Sequence, residues 1–265
     1  MNNGMSIKCL NVHTTTQCTL RCKKCGWSFP YFERPVNSDA GLIVRSLEKV
    51  FQVYDYIDDF RLAGAESFLH PDIERIILAS AKYKEQFGHM CIVTNGTYLP
   101  RQSIFNTLQN LSCKVFVRVD HYGILSRKYD EVISTLKRFG IPLDERNYNE
   151  TEQYFDGWVD LGGYEYRSYS EEQLNGVFRR CRMPDDCSVL WDGKLYNCQY
   201  CVSGLKLDKI QMAQREIVDL FDETTIQQKK ETIKAWRDTP FIGCAYCYGF
   251  DPKTSPRIPA AEQMV

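Results

Sequence analysis

Cys18-Thr19-Leu20-Arg21-Cys22-Lys23-Lys24-Cys25 directly follows a strand-like run from Ile7 to Val12. The spacing, C-x3-C-x2-C, lets one short loop wrap three thiolates around a single iron–sulfur cube. Such clusters are normally held by four thiolates. No fourth cysteine stands nearby in the sequence, so one iron is left open to an exogenous ligand, which points to chemistry rather than scaffolding. The competing reading is a zinc knuckle, which also uses short cysteine spacings but wants four protein ligands when structural.

Two further segments narrow the choice. Phe60-Arg61-Leu62-Ala63-Gly64-Ala65-Glu66 reads as a strand ending in a small-residue turn with a carboxylate, and Ile92-Val93-Thr94-Asn95-Gly96-Thr97 as a strand ending in a polar turn. Together with the cysteine loop they resemble the radical S-adenosylmethionine (SAM) superfamily across the first 100 residues. The resemblance implies a 4Fe–4S cluster on Cys18, Cys22 and Cys25, with its open iron bound by SAM. It also implies that Gly64, Ala65 and Glu66 stand where the family has Gly-Gly-Glu against the SAM amino group. A small residue admits a close backbone approach, and a carboxylate pairs an ammonium. Asn95 joins this cofactor-binding set. The residue before the third cysteine is often aromatic in the family and seats the adenine. Here it is Lys24, and Trp27 is the candidate replacement.

Strand and helix patterns alternate through the first half. Predicted strands end near Val12, Leu62, Val93, Asp120 and Asn147. The helices between them carry Ile43, Leu47, Val50 and Tyr54, then Ile73, Ile77 and Ala81, then Ile104, Leu108 and Leu111, then Tyr129, Val132, Ile133 and Leu136. Such alternation predicts parallel pairing with right-handed crossovers, an α/β fold built as a partial (β/α)6 TIM-like barrel. Functional groups then gather at the carboxyl ends of strands, where Cys18, Glu66 and Asn95 fall. From 147 to 169 periodicity fades into a loop-rich bridge, with a possible strand at Trp158–Leu161.

Six cysteines follow: Cys181, Cys187, Cys198, Cys201, Cys244 and Cys247. Val189–Tyr196 is a hairpin with Asp192-Gly193 at its turn. Cys181-x11-Gly193-x4-Cys198, closed by Cys244 and Cys247, is similar to the twitch and SPASM-like extensions of part of the superfamily. That likeness implies a second, auxiliary 4Fe–4S cluster on Cys181, Cys198, Cys244 and Cys247. Cys187 and Cys201 are surplus and able to replace a chosen ligand, and zinc on the same four remains open. The expected organisation is a radical SAM partial barrel over 1–170, a twitch/SPASM-like domain over 171–250, and an extended or disordered tail over 251–265, with its prolines at 252, 256 and 259.

Composition sets the compartment. The 265 residues carry 33 basic and 34 acidic side chains, a net charge of −1 and no long run of either sign, so neither nucleic acid nor an anionic membrane is an expected partner. No apolar run approaches the roughly 20 residues of a spanning helix, and Met1-Asn2-Asn3-Gly4 does not begin a signal peptide. Twelve cysteines without a secretion signal indicate reduced thiols and metal ligands in a cytoplasmic enzyme. Cys9, Cys91 and Cys113, in apolar segments, read as buried small hydrophobes.

The resemblance implies a 5′-deoxyadenosyl radical that abstracts hydrogen from an unactivated carbon, with electrons from a flavodoxin- or ferredoxin-type partner. A short chain with one twitch cluster resembles the amino-cyclitol (2-deoxy-scyllo-inosamine) dehydrogenases. A small-molecule substrate such as a sugar, cyclitol or sugar nucleotide is expected, its alcohol oxidised with the auxiliary cluster as electron acceptor. Nothing before residue 7 offers the leader-binding domain usual in peptide-modifying relatives. Arg118, Asp120 and His121 at the end of strand four, and Tyr148 after strand five, are the candidate substrate groups; Arg118 with Asp120 could equally be a structural ion pair, and His121 the start of a loop. Three alternatives stand beside this one: an epimerase in which a surplus cysteine returns the hydrogen, a peptide-modifying enzyme with a separate leader-binding partner, and a zinc-ribbon-like interaction protein.

Overall fold

The computed structural model describes residues 4–111, 114–149, 158–251 and 253–264. Its centre is one open eight-stranded sheet. The chain runs β1 (Ser6–His13), α1 (Ala40–Val53), β2 (Tyr56–Ala63), α2 (Ile73–Ala81), β3 (Phe87–Thr94), α3 (Gln102–Asn110), β4 (Val115–His121), α4 (Tyr129–Arg138) and β5 (Leu143–Asn147). Then come α5 (Glu171–Arg180), α6 (Met183–Asp186), β6 (Cys187–Trp191), β7 (Lys194–Tyr196), α7 (Gln199–Lys206), β8 (Ile217–Asp219) and α8 (Ile226–Ala235). The sheet order is β5-β4-β3-β2-β1-β6-β7-β8; β1 to β6 pair in parallel, and β7 and β8 add antiparallel.

The expected α/β partial barrel is therefore present as an open sheet. Its sixth parallel strand is β6, the first arm of the hairpin, laid beside β1 rather than β5. The stretch at Trp158–Leu161 contributes one isolated antiparallel bridge, Val159 to Arg257, instead of a strand. β8, which extends the hairpin into a third antiparallel strand, was not foreseen. At the hairpin turn Asp192 and Gly193 both take positive φ (49° and 74°), as a tight two-residue connection requires.

Alternation along the strands separates two faces. Leu10, Val12, Phe60, Leu62, Met90, Ile92, Val117 and Val119 are buried in the core beneath the helices. Each such side chain contributes roughly 1.5–3 kcal/mol by leaving water. The intervening positions, Cys9 and Asn11 on β1, Asp59 and Arg61 on β2, and Arg118 and Asp120 on β4, line a cavity on the opposite face. α1 is capped by Asp39, whose carboxylate accepts from Gly41 N and Leu42 N.

Gly64, at the end of β2, has φ +141°. A Cβ there would lie 2.6 Å from the Thr15 carbonyl oxygen. The small residue is thus required by the close crossing of the loop after β1, a cause within the fold itself rather than only the ligand approach expected from sequence. Thr14 N donates to Ala63 O and Ala65 N to Thr15 O across the same junction. The tail is extended and docked: Ile258 N donates to Trp158 O, Lys23 N to Glu262 O and Met264 N to Arg21 O. Among the described residues no helix is long and apolar enough to cross a membrane.

Candidate active site

At the carboxyl edge of β1 the chain turns through the cysteine loop and packs Cys18, Cys22 and Cys25 around Leu20 and Ala261. Backbone and side-chain amides point at the sulfurs. Leu20 N lies 3.4 Å from Cys18 Sγ, Asn95 Nδ2 3.5 Å from the same atom, and Gln263 Nε2 3.6 Å from Cys22 Sγ. The amides of Phe29, Trp27 and Ser28 favour the Cys25 thiolate. Burial nevertheless pushes all three thiols up, Cys18 to about 11 and Cys22 to about 12. Thiols that are costly to ionise alone, yet ringed by N–H donors, suit a site where bound iron supplies the compensating charge. Among the described residues no three His, Cys, Asp or Glu side chains converge as a lone metal ion would need. An iron–sulfur cube takes one thiolate per iron, and the loop supplies three thiols to it.

The loop opens onto a cavity of about 640 Å³. Of the residues named from sequence, Cys18, Cys22, Cys25, Trp27, Gly64, Ala65, Asn95, Arg118, Asp120 and Tyr148 all line it. Trp27 stacks on Phe29 with centroids 5.5 Å apart and planes 9° off parallel. Lys24 is turned away, paired with Asp160 at 2.9 Å.

Glu66 is fully buried and does not line the cavity. Its Oε2 accepts from Thr94 Oγ1 (3.0 Å) and Asn95 N (2.9 Å), and Oε1 from Phe68 N (3.4 Å). Burial raises it to about 7 against the pull of those donors. In this structure the carboxylate joins the end of β3 to the turn after β2 and so sets Asn95 against Cys18.

Deeper in the cavity the charges are arranged by register. Arg118 pairs with Asp144 at 3.1 Å, so its ion pair is not with Asp120. Arg146 reaches the same Asp144 oxygen at 3.0 Å. Asp120 accepts weakly from Tyr122 Oη on Oδ2 (3.4 Å), while its buried Oδ1 has no hydrogen-bond partner among the described residues. Burial raises the Asp120 carboxyl to about 6, with Arg118 as the main opposing influence. Tyr148 stacks on Tyr122 at 5.4 Å. His121 lies outside the cavity lining and stacks on Tyr129 at 3.9 Å.

Cavity residues that sequence reading passed over include Asn11, Asp59, Arg61, Arg146, Arg182 and Gln199. The signal was present: Asp59-Phe60-Arg61 and Arg118-Val119-Asp120 put charges at every second position of strands whose other side is core.

The six late cysteines divide. Cys181, Cys198, Cys244 and Cys247 influence one another electrostatically, and burial pushes Cys181, Cys244 and Cys247 up. Phe250 N donates to Cys181 Sγ (3.3 Å) and Gly249 N to Cys247 Sγ (3.2 Å). Cys201 is buried beside them, next to Cys198 and so close to Gly243 that a Cβ there would meet its sulfur. It belongs to the same neighbourhood, influenced by Cys198, Cys244 and Cys247. Cys187 is elsewhere: it faces the main cavity beside Cys9. Cys9 and Cys91 are buried as expected, but Cys9 also lines the cavity; Cys113 lies outside the described residues.

No protein-family model and no curated protein sequence matches this chain. Solved structures do. BtrN in complex with AdoMet and 2-DOIA is similar over 91% of this chain and 92% of its own, with 15% identity and a TM-score of 0.58. Native anSMEcpe with bound AdoMet and Kp18Cys peptide is similar over 98% and 93%, with 13% identity and a TM-score of 0.54. At such identities the likeness is one of fold. With the cysteine loop and its cavity, it leads to one conclusion: the protein has the fold of the radical SAM enzymes, the superfamily its cysteine loop resembles.

Proposed function

We propose that the protein is a radical SAM enzyme that takes hydrogen from a small polar substrate, with oxidation of an alcohol as its reaction. The observation that carries this reading is one cavity shared by three thiols, the Gly64–Ala65 turn and an Asp120 oxygen that lacks a partner among the described residues. When bound, the 4Fe–4S cluster on Cys18, Cys22 and Cys25 and its SAM supply a 5′-deoxyadenosyl radical.

The chain's own groups do the rest. Gly64 and Ala65 admit the cofactor close to backbone, and Trp27 offers an aromatic wall to its adenine. Asp120 takes the proton of a substrate hydroxyl, which eases loss of an electron from the adjacent carbon. Its raised pKa, about 6, places it near neutrality, as a general base requires. Arg118 and Arg146, held by one Asp144 oxygen, orient substrate oxygens. Tyr148 closes the wall. Cys181, Cys198, Cys244 and Cys247 would hold an auxiliary 4Fe–4S cluster as electron acceptor, in a domain over 171–250 that shares the sheet of the 1–170 barrel through β6. A flavodoxin- or ferredoxin-type protein in the cytoplasm is the proposed reductant. The charged lining supports a sugar, cyclitol or sugar nucleotide; BtrN, solved with 2-DOIA, shares the fold.

The test is a screen of such alcohols with the anaerobically reconstituted protein, SAM and dithionite. Substrate-dependent 5′-deoxyadenosine together with a matching ketone is expected from wild type and absent from Asp120→Asn. Deoxyadenosine release matched by an epimer, or only by a modified peptide, would replace the oxidation reading.

A further inference from the structure

We propose that the stacked rings of Tyr164 and Tyr200 are the electron route between the two groups of thiols, joining Cys181, Cys198, Cys244 and Cys247 to the three-thiol loop. The proposal rests on the two clusters proposed above.

The loop after Val159 is built to deliver one ring. Gly162, Gly163 and Tyr164 take successive positive φ values of 111°, 70° and 65°. Glycine adopts such angles freely, but a tyrosine there is strained, and strain of this kind persists only where the surroundings over-determine it. Here they do. Tyr164 Oη hydrogen-bonds with Ser28 Oγ at 2.8 Å, and Tyr164 N donates to Tyr200 Oη at 2.7 Å. The two rings stack with centroids 4.3 Å apart and planes 19° off parallel. Gly204, inside α7, leaves the room: a Cβ there would lie 2.7 Å from Tyr164 Cε1. Glycine within a helix is destabilising relative to alanine, so α7 gives up stability where the ring passes.

Each end of the stack meets one thiol group. Ser28, which holds the Tyr164 hydroxyl, also favours the Cys25 thiolate through its amide. Tyr200 favours the Cys198 thiolate through its own amide, and its hydroxyl donates to the carbonyl of Tyr246 (3.1 Å), between Cys244 and Cys247. Tyr164 lies near enough to Cys198, Cys201 and Cys25 to feel all three electrostatically. A continuous chain of hydrogen bonds and packed rings thus runs from Cys25 through Ser28, Tyr164 and Tyr200 to Cys198. No bond forms or breaks along it. The late cluster is oxidised by one electron, the first is reduced by one, and the tyrosines conduct without being oxidised themselves.

The experiment compares holoprotein with Tyr164→Phe, Tyr200→Phe, Tyr164→Leu and, as a bystander, Tyr166→Phe, whose ring meets Tyr246 edge-on outside the stack. Iron is counted first, and every protein is expected to hold about eight irons. Both clusters are then reduced with photoexcited deazaflavin, the reductant is removed, SAM is added, and samples frozen at successive times are read by EPR. The late cluster's signal is identified in protein whose Cys18, Cys22 and Cys25 are replaced by alanine. In wild type that signal should decay after SAM is added, as its electron drains to the first cluster. The decay should slow in both Phe variants and fall by about tenfold or more in Tyr164→Leu, while Tyr166→Phe matches wild type. Equal decay in all five proteins, or a wild-type signal that outlasts SAM, overturns the route alone, because a merely structural role changes iron content or Tm and not the decay in intact holoprotein. Should Tyr164→Leu lose iron, the two Phe variants, which keep both rings, decide. Wild type with about four irons, or with no 5′-deoxyadenosine, overturns the two-cluster radical reading, and the route with it.

Discussion

Cys18, Cys22 and Cys25 line the large cavity, whereas Cys181, Cys198, Cys244 and Cys247 do not. Both groups are buried or half-buried thiols served by N–H donors. The first has three sulfurs on one short loop and faces open space. The second draws four from three separate segments and is closed by its own chain, with a fifth, Cys201, in contact. An incomplete set beside a cavity suits a cluster that must bind something. On the proposed reading, a complete four-thiol set away from the cavity would hold one that only exchanges electrons.

The largest expected effect breaks this comparison at its base. Replacing Cys18, Cys22 and Cys25 together by alanine should remove about four irons, leave about four on the late cysteines, and abolish 5′-deoxyadenosine formation. Metal analysis by mass spectrometry decides it; iron lost from both groups would show that they are not independent.

Asp120→Asn comes next. As a lost general base it should lower kcat by about 10²–10⁴-fold. In wild type, activity should rise with pH through about 6 and level off above it, because Asp120 works ionised. Its stability effect has the opposite sign. A carboxyl raised in the folded state binds its proton more tightly there than in the unfolded chain, so stability is full below the unfolded pKa and falls as pH rises through the folded value. Asn removes that penalty and should stabilise the protein at pH 7 by on the order of 1–3 kcal/mol, visible as a higher Tm. An unchanged pH profile in Asp120→Asn would remove it from the mechanism.

Gly64→Ala tests the junction that carries both turns. The Cβ meets the Thr15 carbonyl and φ is +141°, so a loss of about 1–3 kcal/mol is expected in denaturant titration. The smallest effect is at Gln263→Ala. Its amide donates to Cys22 Sγ, and one such hydrogen bond is worth about 1 kcal/mol, or about 40 mV for a one-electron couple. Loss of the donor should lower the first cluster's potential by that amount and leave the second unmoved, as read by EPR-monitored titration.

Much of the frame was legible from sequence because its signals are local. The three-thiol loop, the Asp192-Gly193 hairpin and the strand ends carrying Gly64 and Asn95 need only a few neighbouring residues to be recognised. What was missed depends on pairing between distant segments. β6 was read as part of a tail extension because nothing in Cys187–Trp191 says that its neighbour is β1. The partner of Arg118 proved to be Asp144 on the next strand rather than Asp120 two residues on, since side chains two apart on a strand compete with those of the adjacent strand for the same space. Cys187 looked like a spare ligand until the register placed it opposite Cys9.

The docked tail has a consequence for assembly. Arg21 and Lys23 pair with Glu262, Gln263 and Met264, more than two hundred residues away in the chain. The first cysteine loop is therefore among the least local structures in the molecule, although its ligands are among the most local. Contacts of such sequence separation form late, because the chain must first be closed over a long loop. A cluster delivered early would sit in an unlatched loop exposed to oxidants. One delivered after folding would have to pass the latch. The order of iron loading and chain closure is thus a kinetic choice, and the hydrogen bonds from 261–264 decide how long the entrance stays open.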